Sequence, residues 1–354
     1  MTVSPTGSLQ EEFSVTLLDA NDQIIRPLYE YTGGGSLEQN MNRTIRGGGS
    51  IDVRFIGTPK IDFGSDRVQI HRHVRGQSEP LSLGIYLIEA PTMNTNDENE
   101  VVDTTLSLLD KLAILDQDEI FETFGVGENE VVTDVVGDII ESATTSKYSI
   151  EKSSKTMNRS KTWEPGTSKL DIINDLLESI NYFSLWANKD GILIGEPYLT
   201  PDKRSVAHVF EYGPRSLHKP QRSVSQDWFA IPNQIVLHAR GDGEDEGLTA
   251  VWRNEDPESP YSIPSRGRVI SLTEDADSVD QETLDALAAR RGVDVSSKVT
   301  NITVEHAIMD IWPNDLVELV TPVYEGSATV SKWSLSLEPG AQMQATWREV
   351  SRAR

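Results

Sequence analysis

Apolar and polar side chains alternate with a period of two along much of the chain. The alternation is clearest at 81–87, where every second residue is apolar, and it recurs with one histidine in the pattern at 302–308. Such alternation is typical of strands that have one face in water. Turn-rich residues separate the runs, for example at 20–22 and 339–340. The first ninety or so residues are therefore predicted to form a barrel or sandwich of short strands, and the end of the chain is predicted to form strands again.

A helical period replaces the alternation in the middle of the chain. Valine and isoleucine recur every three or four residues at 132–140, which predicts an amphipathic helix capped by Thr133 or Asp134. A later helix is predicted to begin at Ser278, with Gln281 three residues on in the position of a capping box.

The stretch 163–199 combines a helix with a hairpin. Thr167 or Ser168 is the predicted N-cap, and the helix is expected to end near Asn181. Two apolar runs then flank 188–191, which contains Asp-Gly, a strong turn signal. A compact α/β unit of this kind needs a partner layer for its apolar face. The predicted apolar face of the helix comprises Leu170, Ile173, Leu176, Leu177 and Ile180.

Two short glycine runs, at Thr32–Ser36 and Arg46–Ser50, bracket one predicted strand. Neither run is followed by the Gly-Lys-Ser/Thr of a phosphate-binding loop, and neither opens a helical pattern. We therefore predict flexible hairpin corners, because glycine tolerates backbone conformations that are closed to other residues.

Composition narrows the possible functions. The chain of 354 residues has 32 Lys and Arg against 56 Asp and Glu, a formal charge of −24, and no cysteine. Nucleic-acid affinity comes mainly from Lys and Arg, so a DNA-binding function is disfavoured, whereas a surface that lets DNA pass without holding it fits the charge. The absence of cysteine excludes disulfides, thiolate nucleophiles and Cys-ligated zinc. No signal peptide and no membrane-spanning apolar stretch is expected.

The most acidic segment, 97–130, has eleven Asp and Glu residues and one basic residue, Lys111. Its apolar residues remain regularly spaced. The pattern predicts a strand that enters a helix whose charged face is solvated, rather than a disordered acidic tail.

Candidate metal sites are weak. His71 and His73 share a strand face and are spaced to chelate, but no third ligand is visibly placed beside them. The loop Gly241–Gly247 is acidic, yet it lacks the spacing of an EF-hand and its glutamate at the twelfth position. A solvated hairpin tip is the favoured interpretation of the loop. We expect no metal and no cofactor.

Glycan hydrolysis is the enzymatic alternative, because it uses a pair of carboxylates. Glu164, Asp171 and Asp175 are the best candidates. Asp171 and Asp175 lie in the first turns of a predicted helix, where the macrodipole favours negative charge, so a structural role accounts for them. We therefore predict that the protein is not an enzyme and has no catalytic residue. The tryptophans that would stack on sugars if exposed, and that are more often packing anchors, are Trp163, Trp186, Trp228 and Trp252.

Five stretches, taken in order with the predicted elements, carry a family resemblance. They are Leu108–Asp118, Trp163–Gly191, Gln226–Leu237, Asn254–Ile270 and Asn314–Val320. In this order they resemble the tail hub proteins of tailed bacteriophages, the tail-associated or baseplate hub family, as found among minor tail proteins of siphophages that infect actinobacteria. The resemblance spans roughly residues 50–350, and none of its motifs is catalytic in that family.

The resemblance implies a mainly β fold with an α+β insert, in which two tube-like β-barrel domains are linked by helix-plus-hairpin modules. The expected domains are an N-terminal barrel at 1–115, an α/β domain at 116–205, a β-rich segment at 206–275 that completes or bridges the barrels, and a helix with the C-terminal barrel at 276–354.

The implied function is that of a structural minor tail protein. Such hubs are homotrimers whose paired barrels make a pseudo-sixfold ring at the tail tip of the virion, after synthesis in the host cytoplasm. The expected partners are the distal tail protein or tail tube, the tape measure protein, and tip or receptor-binding proteins, with DNA only passing through the lumen. The short end after the last hairpin implies that other proteins supply any lysin or receptor-binding domain.

Two alternatives stay open at this point. One is a distal tail protein, which forms a hexameric ring at the same location. The other belongs to a different class and is a tail protein that binds or hydrolyses cell-wall glycan.

Overall fold

The computed structural model describes residues 11–91, 101–226, 231–239, 247–276, 278–297 and 300–350. Its N-terminal part consists of strands, as the alternating pattern predicts. They are β1 (Glu11–Leu18), β2 (Ile24–Pro27), β3 (Tyr31–Asn40), β4 (Gly47–Ile56), β5 (Arg67–Val74), β6 (Leu81–Ile88) and β7 (Val101–Leu109).

Helices and short strands alternate in the middle of the chain. They are α1 (Leu112–Gln117), β8 (Phe124–Val126), α2 (Val132–Ala143), β9 (Tyr148–Ile150), β10 (Lys161–Trp163), α3 (Lys169–Ser179), β11 (Trp186–Ala187) and β12 (Leu193–Gly195).

The remainder is again mainly β. Its elements are β13 (Val206–Glu211), β14 (His218–Gln226), β15 (Gln234–Ala239), β16 (Leu248–Arg253), α4 (Ile263–Arg266), β17 (Ser271–Asp275), α5 (Gln281–Ser297), β18 (Thr300–His306), β19 (Leu316–Thr321), β20 (Tyr324–Ser336) and β21 (Met343–Val350). The predicted mainly β class with inserted helices is confirmed. None of the helices in the described ranges is long and apolar enough to cross a membrane.

Thirteen strands form one sheet in the order β14-β18-β21-β20-β3-β4-β7-β6-β5-β1-β2, with β19 also paired to β20 and β13 paired in parallel to β19. The two tube-like barrels predicted from sequence do not appear, because no barrel closes within the described part of the chain. The reason lies in β20. One of its edges pairs with β21, and its other edge pairs first with β19 and then with β3. The C-terminal strands therefore continue into the N-terminal strands instead of closing on themselves.

One hydrophobic core lies beneath both halves of this sheet. Leu37, Ile51 and Leu106 come from the N-terminal strands, and Trp333 and Trp347 come from the C-terminal strands. Each is at most 2% exposed. Burial of side chains this large stabilises a fold by about 1.5–3 kcal/mol each. The two halves of the sheet thus share one core.

A second core belongs to the α/β unit that follows β7. The predicted apolar face of α3 is fully buried there, against the stripe of α2. Ser168 caps α3 as predicted, since its Oγ accepts the Asp171 amide at 3.0 Å. The cap predicted for α2 is wrong, because the helix already begins after Val131, which makes no side-chain cap bond.

A third core joins α5 to the small sheet β16-β15-β17, through Leu284, Leu287 and the buried face of β15. The predicted cap at Ser278 is also wrong. The Asp280 carboxylate accepts the Thr283 amide at 2.6 Å and so fills the N-terminal position. Residues 206–275 therefore divide between two sheets, with β13 and β14 in the large sheet and β15–β17 beneath α5.

The prediction for the acidic segment is confirmed in part. Within its described part, β7 leads into α1. However, Asp110 and Lys111 are buried rather than solvated. Asp110 accepts the amides of Gly47 at 2.5 Å and Leu112 at 2.9 Å, and burial raises its pKa to about 6. Lys111 pairs with Asp22 on the β1–β2 turn. These two residues fasten the start of the α/β unit to the large sheet.

The glycine runs are not flexible corners. Gly35 lies in β3 and Gly49 lies in β4, and the corner between these strands falls at 41–46. A Cβ at Gly49 would lie 2.0 Å from the Ser36 carbonyl oxygen, and a Cβ at Gly35 would lie 2.2 Å from the Ser50 carbonyl oxygen. Glycine is required because the two backbones approach so closely.

We predict that Gly49→Ala lowers the free energy of unfolding by about 3 kcal/mol or more, because the methyl group meets the backbone of β3. Gly57→Ala is the matched control. Gly57 has φ +71° but open space around it, so we expect only the conformational loss of about 1–2 kcal/mol. Urea unfolding of both variants measures the difference. Equal losses would show that the close approach of β3 and β4 is not what requires glycine.

Candidate functional site

The outer face of the large sheet carries small, mostly uncharged polar side chains. Ser336, Ser36, Ser50 and Ser107 stand in register and cross β20, β3, β4 and β7 in one row. The Ser36 and Ser50 hydroxyl oxygens are 3.4 Å apart. We call this surface the polar face. It comprises Ser36, Glu38, Asn40, Ser50, Asp52, Arg54, Asp103, Thr105, Ser107, Asn301, Thr303, Glu305, Lys332, Ser334, Ser336, Gln344 and Thr346.

The electrostatics of the polar face are mild. Serine, threonine and amide side chains predominate, and its own basic residues are Arg54 and Lys332. Arg43 and Lys219 reach the face from outside and are paired with Glu38 and Glu305. Arg54 is held by Asp103, at 2.6 Å from Nε to Oδ1 and 3.0 Å from Nη2 to Oδ2. Asp52 accepts the Thr105 hydroxyl at 2.7 Å. Such a face is wetted by water and offers few cations to a phosphate backbone.

The sequence signal for this face lies in the residues between the apolar positions. In β20 and β7 the polar partners in the alternation are repeatedly Ser or Thr rather than Lys or Glu. The alternation predicts a wet face, but only the register shows that the hydroxyl groups of strands from both ends of the chain form one surface.

Both ends of the large sheet expose apolar side chains. Ile24 and Ile25 lie on the edge strand β2. Ile56 and Val101 are cross-strand neighbours at the tips of the interior strands β4 and β7, and the Arg54 amide donates to the Glu30 carbonyl in the segment that follows β2. We call these residues the β2 patch, defined as Ile24, Ile25, Tyr29, Ile56 and Val101.

The opposite end is exposed in the same way. The Tyr212 amide donates to the Val320 carbonyl, which places Tyr212 next to the β19–β20 turn that carries Val323, a residue 85% exposed. This end is the β13–β14 patch, defined as Val206, Val209, Tyr212, Leu217, Val224 and Val323. Exposed edges with apolar residues are liabilities for an isolated chain, and they are typical of surfaces that another chain covers.

The carboxylates singled out in the sequence have structural surroundings. Asp175 Oδ2 accepts the Trp163 indole N–H at 2.9 Å and lies 3.2 Å from the Lys161 ammonium. Asp171 is exposed in the first turn of α3, and Glu164 is exposed before it. The pattern matches helix-start charges and a tryptophan acceptor rather than an acid/base pair.

The tryptophan candidates for sugar stacking are packed rather than exposed. Trp163 is 7% exposed. Trp186 is half-buried, and its Nε1 donates to Glu196 at 3.3 Å. Trp252 is half-buried, and its ring lies so close to Gly292 of α5 that a Cβ there would come within 2.3 Å. Trp228 lies outside the described residues.

The histidine pair does not complete a metal site. His71 and His73 lie on β5 with ring centroids 6.4 Å apart, and His73 Nε2 contacts the Ser14 hydroxyl at 2.8 Å. Burial lowers the pKa of His71, and the neighbouring His73 lowers it further. Over the described ranges, no group of three or more His, Cys, Asp or Glu residues is placed to hold a metal ion. The acidic loop at 241–246 lies outside those ranges.

No protein-family model matches the chain. No curated protein matches it in sequence. Solved structures do match its fold. The tail protein from Neisseria meningitidis MC58 superposes with a TM-score of 0.66 at 12% identity, covering 96% of this chain and 97% of that one. The chain has the fold of phage tail proteins.

Two further structures support the same fold. The 43 kDa tail protein of prophage MuSo2 from Shewanella oneidensis gives a TM-score of 0.61 at 14% identity, covering 96% of this chain and 98% of that chain. A type VI secretion component of E. coli, described as structurally similar to the T4 bacteriophage tail proteins gp27 and gp5, gives 0.54 at 8% identity, covering 98% and 76% respectively. At these identities the likeness concerns the fold.

We predict that Asp175→Ala lowers the free energy of unfolding by about 1–2 kcal/mol, because it leaves the Trp163 indole N–H without its charged acceptor. Asp171→Ala removes a carboxylate from the same helix but only a helix-start charge, so the expected loss is about 0.3–1 kcal/mol. Urea unfolding of the two variants gives the comparison. A larger loss for Asp171→Ala would contradict the structural role assigned to Asp175.

Proposed function

We propose that the protein is a structural tail hub protein, a homotrimer that forms a pseudo-sixfold ring at the tail tip. In this role it closes or adapts the tail tube and anchors tip and receptor-binding proteins on the DNA exit path. The observation that carries the proposal is the shared fold with tail proteins over nearly the full length of both chains. The likeness to a protein related to gp27 and gp5 favours the hub position within the tail.

The polar face is proposed to line the lumen of the ring. DNA that passes through a channel must not bind its wall, and the wall should therefore be wet and poor in cations. The serine row and the Arg54–Asp103 pair meet this requirement. The formal charge of −24 on the whole chain acts in the same direction.

The two apolar patches are proposed to meet in the ring. A head-to-tail contact between the β2 patch of one copy and the β13–β14 patch of the next covers both exposed edges, and a rotational repeat of that contact closes a ring. On this view the tube-like barrels belong to the assembly rather than to one chain. The division into domains at 1–115, 116–205, 206–275 and 276–354 remains a prediction.

The expected partners are the distal tail protein or tail tube above the ring, the tape measure protein, and tip or receptor-binding proteins below it. The proposed location is the tail tip of the virion. The narrower assignment to minor tail proteins of siphophages that infect actinobacteria rests on the sequence resemblance alone.

Cryo-electron microscopy of the native particle tests the ring directly. We expect three copies at the tail tip with the polar face towards the axis. A sixfold ring of this chain would assign it to the distal tail position instead, and density away from the tail axis would contradict both assignments.

A positive charge introduced on the polar face tests whether this face lines the lumen. Three copies of Ser334→Arg would add guanidinium groups to the wall, and we expect assembled particles that release DNA severalfold more slowly, with the delay shrinking as salt is raised. Ser154→Arg, at an exposed serine of the α/β unit, is the matched control and should leave release unchanged. Normal release by Ser334→Arg particles would place the polar face outside the channel.

The glycan-hydrolase alternative has a separate test. The packed tryptophans and the paired Asp175 disfavour it, so purified protein should not clear peptidoglycan. Clearing that is lost in Glu164→Gln would establish the enzymatic function.

A further inference from the structure

Four arginines converge on one partly open cavity. The cavity has a volume of about 110 Å³ and lies where the β3–β4 corner, the α/β unit, α5 and the closing strands meet. Arg46 reaches it from the corner, Arg204 from the segment before β13, Arg290 from α5 and Arg348 from β21. The large sheet thus contributes two cations to this space, and α5 and the segment before β13 contribute one each, while the α/β unit lines it with Phe183 and Ser184.

These arginines donate to neutral oxygens. Arg46 donates to the Ser184 carbonyl at 3.1 Å, and Arg290 donates to the Tyr182 carbonyl at 2.7 Å. Arg204 donates to two backbone carbonyls, at 2.7 and 3.0 Å. Arg348 donates to an asparagine side-chain oxygen at 2.5 Å. A guanidinium has five N–H groups, so donors remain for a ligand in the cavity.

Carboxylates offset this charge in part. Asp294 is the acidic residue of the lining. Its Oδ2 lies 3.9 Å from Arg290 Nε, and its charge also acts on Arg204 and Arg348. From outside the lining, Asp110 and Glu196 act on Arg46, Glu196 also acts on Arg204, and Glu178 acts on Arg290. Burial lowers the pKa of Arg46 to about 10 and lowers the pKa of the other three guanidinium groups as well. A buried cation without a full counter-charge is unfavourable, and an anion relieves that loss.

Two aromatic rings pack against the guanidinium groups of the cavity. Phe183 and Tyr198 contact each other at a tilt of 53° with centroids 5.1 Å apart, and the guanidinium groups of Arg204 and Arg290 lie 4.7–5.5 Å from the two rings. Tyr198 is 9% exposed, and its buried hydroxyl group lies against the Arg204 guanidinium, which can only donate, so the O–H proton has no acceptor. Stacking fixes the guanidinium planes before a ligand arrives.

We propose that this cavity binds one small inorganic oxyanion of the phosphate type, held by Arg46, Arg204, Arg290 and Arg348 with the Tyr198 hydroxyl as a further donor. The volume favours an ion of this size, because nucleotides and larger ligands occupy pockets of about 300–1,000 Å³. Bidentate guanidinium contacts suit phosphate geometry. The bound ion ties the helical units to the large sheet. The inference does not depend on the tail assignment.

Titration of the full chain with inorganic phosphate tests the site. We expect saturable binding of one ion per chain by calorimetry. We also expect a melting temperature that rises with sodium phosphate but not with sodium chloride at matched ionic strength, because a ligand that binds only the folded state stabilises it. Arg46→Gln and Arg348→Gln should weaken binding at least tenfold, and Arg215→Gln, at an exposed arginine, should not change it.

The variant Tyr198→Phe distinguishes an anion-binding site from an arginine cluster that has only a structural role. Without phosphate the variant should be about as stable as the parent chain, because it removes a buried hydroxyl group whose O–H donor has no acceptor. With phosphate its stabilisation should be severalfold weaker. Absence of phosphate binding by the parent chain overturns the proposal, as does binding that Arg46→Gln and Tyr198→Phe leave unchanged. A response to formate but not to phosphate would also overturn it and assign the cavity to a carboxylate.

Discussion

The pairing of β3 with β20 is the contact on which the rest of the structure depends. Residues 36–40 and 332–336 form an antiparallel ladder although almost the whole chain separates them. The entropic cost of closing so long a loop grows only slowly with its length, so a ladder backed by a shared core can hold it. Leu37 and Leu335 face each other in this ladder and lie in that core. Because the two ends of the chain are joined here, every helical element between β7 and β18 must lie to the side of one continuous sheet.

The polar face follows from the register of the same ladder. A slip of one residue would turn every side chain of a strand to the other face, and would replace the serines with core residues. Gly35 and Gly49 help to hold that register, since each lies where the facing backbone leaves no room for a Cβ. The glycines therefore serve the surface proposed for function, although only the serines that end the two runs, Ser36 and Ser50, contribute side chains to it.

Features that depend on neighbouring residues could be predicted from sequence. Contacts between residues that are far apart in the chain could not. The stripe of α3, its cap at Ser168 and the turn at 188–191 depend on neighbouring residues, and all three are confirmed. The continuous sheet depends on β20 changing partners between β19 and β3, for which no local pattern exists. The burial of Asp110 and Lys111 depends on contacts with Gly47 and with Asp22, far away in the chain. The local pattern of apolar and charged residues predicts a solvated charged face here and carries no information about these contacts.

The arginine cavity could not be predicted from sequence either. Its four cations come from parts of the chain that are remote in sequence, and an overall charge of −24 gives no hint that positive charge is concentrated inside. Arg46 directly precedes β4, and Arg348 lies on β21, on the two sides of the β3–β20 ladder. Arg204 and Arg290 belong to the parts that lie beside the sheet. The β3–β20 ladder fixes the strands relative to one another but does not fix the helical units. An anion held by all four arginines fixes the helical units against the strands.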